Sequence, residues 1–399
     1  FDSAGDLGAA RLLRSRSGHT AAPRVVAYYG EGARVLLSAG GSDRALRMFN
    51  ITRDQQCVEF SQGKGLARRA QRQHAPEEHL KLPKVVALAS CPVREREWAT
   101  IVTAHEGSAE AHTWSFANKA LAGPVLSLFS PVVAGVVTDD SPAALAAAAA
   151  GRPRPAPITS VALSACGNFC FAGARDGTVA KFNMQSGALR ATLAGAHSAA
   201  VTGLASDSTN SVLVSAGLDG VLCFHNADTL AVTHRLVPDG ALPITHLCFH
   251  RDNGLVAVAT DDGCLRVYDA TQPDHRLARR FDGPTGAVTA LSFTADGRWL
   301  ISAAAAGTVC VWDMAAGRLI DWFSTKRPVT SLAVSPTGDF LVTTHAGRRG
   351  LYLWANRTFF TSVILRPPPP LPCLLDLPGR AGPVLDEGVE HDPLAQDDD

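Results

Sequence analysis

Four cations crowd one short stretch of the chain. Lys64, Arg68, Arg69 and Arg72 lie within nine residues in the run GKGLARRAQR, and Lys81 and Lys84 follow. Guanidinium and ammonium groups at this density neutralise phosphates and release condensed counterions, which gives salt-dependent, sequence-tolerant binding. Aromatic residues hardly interleave there, so stacking on bases is not expected. These six residues are the candidate site for RNA or a protein partner. The plain alternative is a solvated loop, or a docking segment for an acidic protein. Arg152 and Arg154, held between prolines, and Arg348 and Arg349, in a turn, read as solvated loop charges.

Other chemistries lack their residues. His105 and His112 fall around a turn, and His246 and His250 share one strand face, but no histidine pair accompanies a glutamate on a helix. Neither a Gly-x-Ser-x-Gly elbow nor a Gly-x-x-x-x-Gly-Lys-Ser/Thr loop occurs. The nine cysteines are scattered, with only Cys166 and Cys170 close together and no Cys-x-x-Cys. They read as free thiols in a reducing compartment, without the clustered ligands of a zinc site. The expectation is therefore no enzyme, no cofactor, no metal and no small-molecule substrate. Formal net charge is zero, so a polyanion must be met by local patches. No apolar run approaches the ~20 residues of a membrane span, and no membrane partner is expected.

The elements that hold these residues come from a repeat. Five copies run from Ile158 to Asn356, the clearest being VTALSFTADGRWLISAAAAGTVCVWDMAAG from Val288 to Gly317. Each has three short apolar runs separated by turns, and the third run ends in a marker residue. Two weaker copies precede them. The markers are Phe49, Trp114, Phe182, His225, Tyr268, Trp312 and Trp354, with the last five spaced 42 to 44 residues apart. That period is one four-stranded blade. Asp43, Asp176, Asp219 and Asp262 each stand six residues before a marker, where a tight hairpin turn suits Asp. Core packing is the expected role of the markers. The fold class is all-β: a seven-bladed β-propeller with two long inter-blade insertions, a number of blades that can close a ring.

The propeller is placed at 23–366, after an N-terminal segment at 1–22. Its insertions are a basic, irregular loop at 57–83 and an Ala/Pro-rich loop at 117–157, the latter too low in complexity to bury a face. Thr358 to Leu365 can supply the outer strand of the last blade, although an N-terminal strand is left open as the alternative closure. RPPPPLP then stops regular structure. Residues 367–399 read as a Pro-rich and then acidic tail leading to an absent domain. The start has no Met and no signal-peptide core, and reads as an internal fragment.

Val311-Trp312-Asp313 and Val267-Tyr268-Asp269 look like the ends of WD repeats, and Gly195-Ala196-His197 looks like a worn Gly-His. In well-kept WD repeats His, Asp, Ser and Trp form a hydrogen-bond network. Here His197, Asp219 and Ser215 match one blade, with His225 in place of Trp. Most other copies lack the histidine, so the network is expected to be degraded. A closer likeness spans nearly the whole chain. SAGGSDRALRMF, ITSVALSACGNF, VAKFNMQSG, FTADGRWLISAA and VTSLAVSPTGDFLVTTH followed by LYLWAN resemble the second propeller of a WD-repeat family. Its members are U3 small-nucleolar-RNA-associated subunits of the small-subunit processome, in its B subcomplex. The resemblance implies a nucleolar, nuclear scaffold acting in ribosomal RNA processing and small-subunit biogenesis. Its implied partners are other WD-repeat subunits, U3 small nucleolar RNA and pre-rRNA. A WD-repeat adaptor that reads a peptide on one face is the alternative.

Overall fold

The computed structural model describes residues 12–16, 18–53, 56–63, 66–74, 80–128, 156–272, 274–282, 286–360, 368, 371–375 and 377. The described strands form seven sheets. Blade 1 comprises Pro23–Tyr29, Val35–Gly40, Leu46–Asn50 and Val58–Glu59. Blade 2 comprises Val85–Ser90, Ile101–His105 and Glu110–Ser115, with an outer edge split into Ala120–Leu121 and Leu126–Ser127. Blades 3 to 6 begin at Ile158–Leu163, Val201–Ser206, Ile244–His250 and Val288–Phe293. Blade 7 comprises Val329–Val334, Phe340–His345, Leu351–Ala355 and, as its outermost strand, Leu12–Arg16. Innermost strands neighbour one another all the way round, blade 7 against blade 1 included.

The second strands differ from the simple alternation expected of a half-buried sheet. Trp299–Ala304 is buried along its whole length, and Val35–Gly40 and Leu255–Thr260 nearly so. Each blade is covered on both faces by its neighbours, so both faces of its middle strands are core. Short side chains such as Ala257, Ala259, Ala303 and Ala304 allow that close stacking.

Every blade carries the same tie between its incoming link and the turn joining its second and third strands. The amides of Gly41, Glu106, Arg175, Leu218, Asp261, Ala305 and Ala346 donate to the carbonyls of Ala22, Lys84, Pro157, Ala200, Pro243, Ala287 and Pro328, all between 2.8 and 3.0 Å. All these links and turns therefore share one side of the ring, here termed the upper face. The turns need tight backbone. Gly307 has φ +84°, and a Cβ there would meet the Thr325 carbonyl at 2.3 Å. Asp43, Asp176, Asp219 and Asp262 each accept the amide two residues ahead through Oδ1.

Neighbouring blades are stapled by a threonine at a bulge near the start of the innermost strand. Thr159 donates to the Val201 carbonyl (2.6 Å), Thr202 to Ile244 (2.8 Å) and Thr330 to Pro23 (3.1 Å). The bulge offsets the register between the first two strands in each of these blades. Thr330 makes its bond across the seam between blades 7 and 1, far apart in sequence.

Of the two closures the sequence allowed, the structure shows the N-terminal one. Leu12, Arg14, Ser15 and Arg16 pair antiparallel with Trp354, Leu353, Tyr352 and Leu351. At the place considered for a C-terminal strand, Arg357–Phe359 makes a single 3-10 turn capped by Asn356, and 361–365 lie outside the described residues. The tail also returns: Cys373–Leu375 adds parallel to Arg318–Thr325 as a fifth strand of blade 6, and Leu377 is buried beside it. A propeller blade has an open outer edge, and extended chain emerging from a proline run is preset to cover it. The basic insertion likewise is not all irregular, because it contributes the outer strand Val58–Glu59 and a helix. In the second insertion the described residues end at 128 and resume at 156.

Deleting the first 17 residues should leave Leu351–Ala355 with an unpaired edge. The expected result is a lower Tm and self-association visible by size-exclusion chromatography; an unchanged, monomeric propeller would contradict this closure. Gly307→Ala should destabilise by about 1–3 kcal/mol, through an unfavourable φ and the crowded carbonyl, measured by denaturant unfolding.

Candidate functional site

The basic segment LARRAQRQ is built from good helix formers, and Leu66–Gln73 forms an α-helix. Ala70 is buried, whereas Arg68 and Arg72, one turn apart, are both exposed. Like charges at this spacing repel, and an anion between them relieves that repulsion. Arg69 lies in the same helix, with its side chain outside the description; Lys64 lies outside the described residues, as do Arg152 and Arg154. Gln62 fastens the segment: its Nε2 donates to the Arg44 carbonyl (2.6 Å) and its Oε1 accepts the Leu82 amide (2.8 Å). Gln62 thus ties the stretch before the helix to the upper-face turn of blade 1. Lys81 is committed elsewhere, with Nζ 2.8 Å from Glu59 Oε1, while Arg47 takes Oε2. Lys84 is half-buried at the entrance to blade 2.

All seven markers are buried. Their partners lie ten or eleven residues earlier, on the second strand, and match them chemically. Trp114, Trp312 and Trp354 donate from Nε1 to Thr103, Ser302 and Thr343, at 2.7, 2.9 and 2.9 Å. Phe182 and Tyr268 face apolar partners instead, Ala172 and Val258, in the same clusters. The histidines are less scarce in these networks than the repeats suggested. His19 of the N-terminal segment bonds Asp43 at 2.8 Å and Ser38 at 2.5 Å, beside Phe49. His105 and His345 reach Thr103 and Thr343 from two residues along the same strand, each at 2.9 Å. Their signal is Thr-x-His in IVTAH and LVTTH, which a search for Gly-His overlooks. Gly18-His19 was a plain Gly-His ahead of the first recognised run.

Blade 4 solves the same problem without tryptophan. Ser215 Oγ lies 2.7 Å from His197 Nε2 and 2.8 Å from His225 Nε2, and His197 Nδ1 lies 3.1 Å from Asp219. A hydroxyl has one proton. Ser215 therefore bridges the two rings, giving its proton to one Nε2 and accepting from the other, while His225 Nδ1 lies 3.2 Å from the Leu230 carbonyl.

The whole-chain pattern matches the family described as the WDR36/Utp21 second beta-propeller domain, over residues 24–372. The chain belongs to this family. It is 36% identical to the U3 small nucleolar RNA-associated protein 21 homolog of Schizosaccharomyces pombe and 35% identical to U3 small nucleolar RNA-associated protein 21 of Saccharomyces cerevisiae, each over 89% of the chain. It is 32% identical to the human WD repeat-containing protein 36 over 94% of the chain. These matches span 36%, 35% and 40% of the relatives' own lengths.

In this WDR36/Utp21 propeller burial shifts several titratable groups inside the blades. Among the described residues no group of three or more His, Cys, Asp or Glu is placed to hold a metal ion. Burial pushes His105, His225, His246 and His345 down to about 4. Burial also lowers His197, against the opposing pull of Asp219. For Asp219, burial raises the carboxyl, but the amides of Ser198 and Val221 together with His197 hold it below its usual range. The folded protein therefore keeps these imidazoles neutral where the unfolded chain takes up protons, below about pH 6.5. Stability from them is present above that pH and is lost as pH falls toward 4, on the order of 3 kcal/mol at full titration for each of His105, His225, His246 and His345. Tm should drop steeply between pH 6.5 and 4; a flat profile would contradict the buried neutral networks. Thr343→Val should cost about 2–4 kcal/mol by leaving Trp354 Nε1 and His345 Nε2 unpaired in the core, read by denaturant unfolding.

Proposed function

We propose that this propeller is a non-catalytic scaffold module of the small-subunit processome, acting in the nucleolus in ribosomal RNA processing and small ribosomal subunit biogenesis. The observation that carries the reading is sequence kinship over 89% of the chain with proteins named for association with U3 small nucleolar RNA. Its physical support is the ring itself. A stapled propeller offers two faces and a rim at fixed geometry, and binding resides in what projects from such a frame. In this reading other WD-repeat subunits dock on faces and rim. The helix carrying Arg68, Arg69 and Arg72, with Lys64 before it, meets the phosphates of U3 RNA or pre-rRNA. Lys81, held by Glu59, positions the segment rather than the ligand.

Affinity purification of the full-length protein from cells, followed by RNA sequencing, should recover U3 RNA and pre-rRNA with other processome subunits. Recovery of neither would overturn the reading. Reversal of Lys64, Arg68, Arg69 and Arg72 to Glu should weaken recruitment to precursor particles while Tm stays unchanged. Full recruitment of that variant would remove the helix from the interface.

A further inference from the structure

The upper face is electrically lopsided. In the links and turns of blades 4, 5 and 6, the described charged residues are Asp219, Asp239, Asp261, Asp262 and Asp282, of which Asp219 is engaged by His197, Asp262 by Arg266 and Asp282 by Arg280. In the links and turns of blades 7 and 1 the order inverts. Lys326 and Arg327 lead into blade 7, Arg348 and Arg349 form its turn, Arg44 lies in the blade 1 turn, and Arg24 opens the innermost strand of blade 1. The single carboxylate among them, Asp43, is engaged by His19. Sequence separates these cations by about three hundred residues. Ring closure joins them, since Thr330 bonds the Pro23 carbonyl and the Val26 amide bonds Ser331 Oγ.

The details favour a phosphate ligand. Five of the six cations are arginines, whose planar donors suit phosphate oxygens. Arg24 occupies the bulge position where blades 3 to 7 carry threonine, and its stem lies along the turn, 3.7 Å from the site of a Cβ at Gly41. It is exposed, as are Lys326 and Arg327. Arg349 Nε is shielded from solvent and has no hydrogen-bond partner among the described residues. A docked protein segment would want an apolar anchor in its centre. None of the exposed large hydrophobic side chains falls in the links and turns of blades 7 and 1.

From this we infer that the upper face over the seam of blades 7 and 1 is a second, sequence-tolerant contact for the sugar-phosphate backbone of single-stranded RNA, distinct from the helix Leu66–Gln73. The inference rests on the proposed RNA role but is tested apart from it.

The experiment uses this chain and a fluorescein-labelled, mixed-sequence 20-nucleotide RNA, with Kd measured by anisotropy from 50 to 300 mM KCl. Three variants are compared: Arg24, Arg327, Arg348 and Arg349 changed to Gln; the same four changed to Glu; and Arg68→Glu with Arg72→Glu. Circular dichroism and Tm check that each folds, and the Gln set keeps the test open if the Glu set does not. The seam Gln variant should weaken binding and reduce the slope of log K against log salt by about three units for four lost phosphate contacts. The helix variant should lose a smaller, separate share. An unchanged slope in the seam variants, with loss only in the helix variant, overturns the seam contact and leaves the processome reading standing. A seam variant that loses binding to a 20-residue polyglutamate peptide but not to RNA also overturns it, in favour of an acidic protein partner. Failure of the wild type to bind RNA at 50 mM KCl overturns the seam contact, while the purification described above decides the scaffold role independently.

Discussion

The antiparallel pairing of Leu12–Arg16 with Leu351–Ala355 is the contact on which the rest of this molecule depends. An open stack of blades exposes two terminal faces, each with buried-type side chains and no neighbour. Closing the ring buries both. Val26, Leu36, Phe49 and Ile51 of blade 1 then form one cluster with Val342, Leu351 and Leu353 of blade 7. Arg16 reaches across the seam to the Ile51 carbonyl at 2.5 Å, and Thr330 to that of Pro23. The strand that completes the last blade is drawn from the start of the chain, so unravelling either end opens the seam.

Inside the ring each blade must satisfy the same buried position by its own chemistry. Where the third strand ends in tryptophan, a hydroxyl faces its indole N–H. Where it ends in Phe182 or Tyr268, an apolar residue does. Where it ends in His225, a serine hydroxyl bridges it to a second imidazole, His197. What is held constant across blades is polar satisfaction rather than residue identity, because an orphaned donor in such a core costs more than an apolar pair lacks. The worn repeat signature therefore reflects substitution of whole pairs, with the frame intact.

A frame fixed in this way leaves the departures from the repeat at its surface. The helix Leu66–Gln73, the basic links of blade 7 and Arg24 in place of a stapling threonine all interrupt the pattern there. None lies in the regular core, where the ionisable groups are neutralised by burial or by one another. The rigid frame sets fixed spacings between these surface charges.

By itself, the sequence determined the blade period, the number of blades and the all-β class, because a fixed repeat of three apolar runs has few other ways to bury itself. It also determined the family, through irregular strings such as CGNF and NMQSG. The density of cations near Arg68 was legible as well. Their helix was missed, since eight residues with only Leu66, Ala67 and Ala70 apolar carry little apolar period. His19 and the Thr-x-His pairs were missed because their partners come from other strands. Only the tertiary structure decided which terminus closes the ring, that Cys373–Leu375 returns to blade 6, that Lys81 belongs to Glu59, and that Arg24 and Arg349 share one face. Each of these depends on which distant segments meet when a chain turns full circle, and no local pattern encodes that meeting.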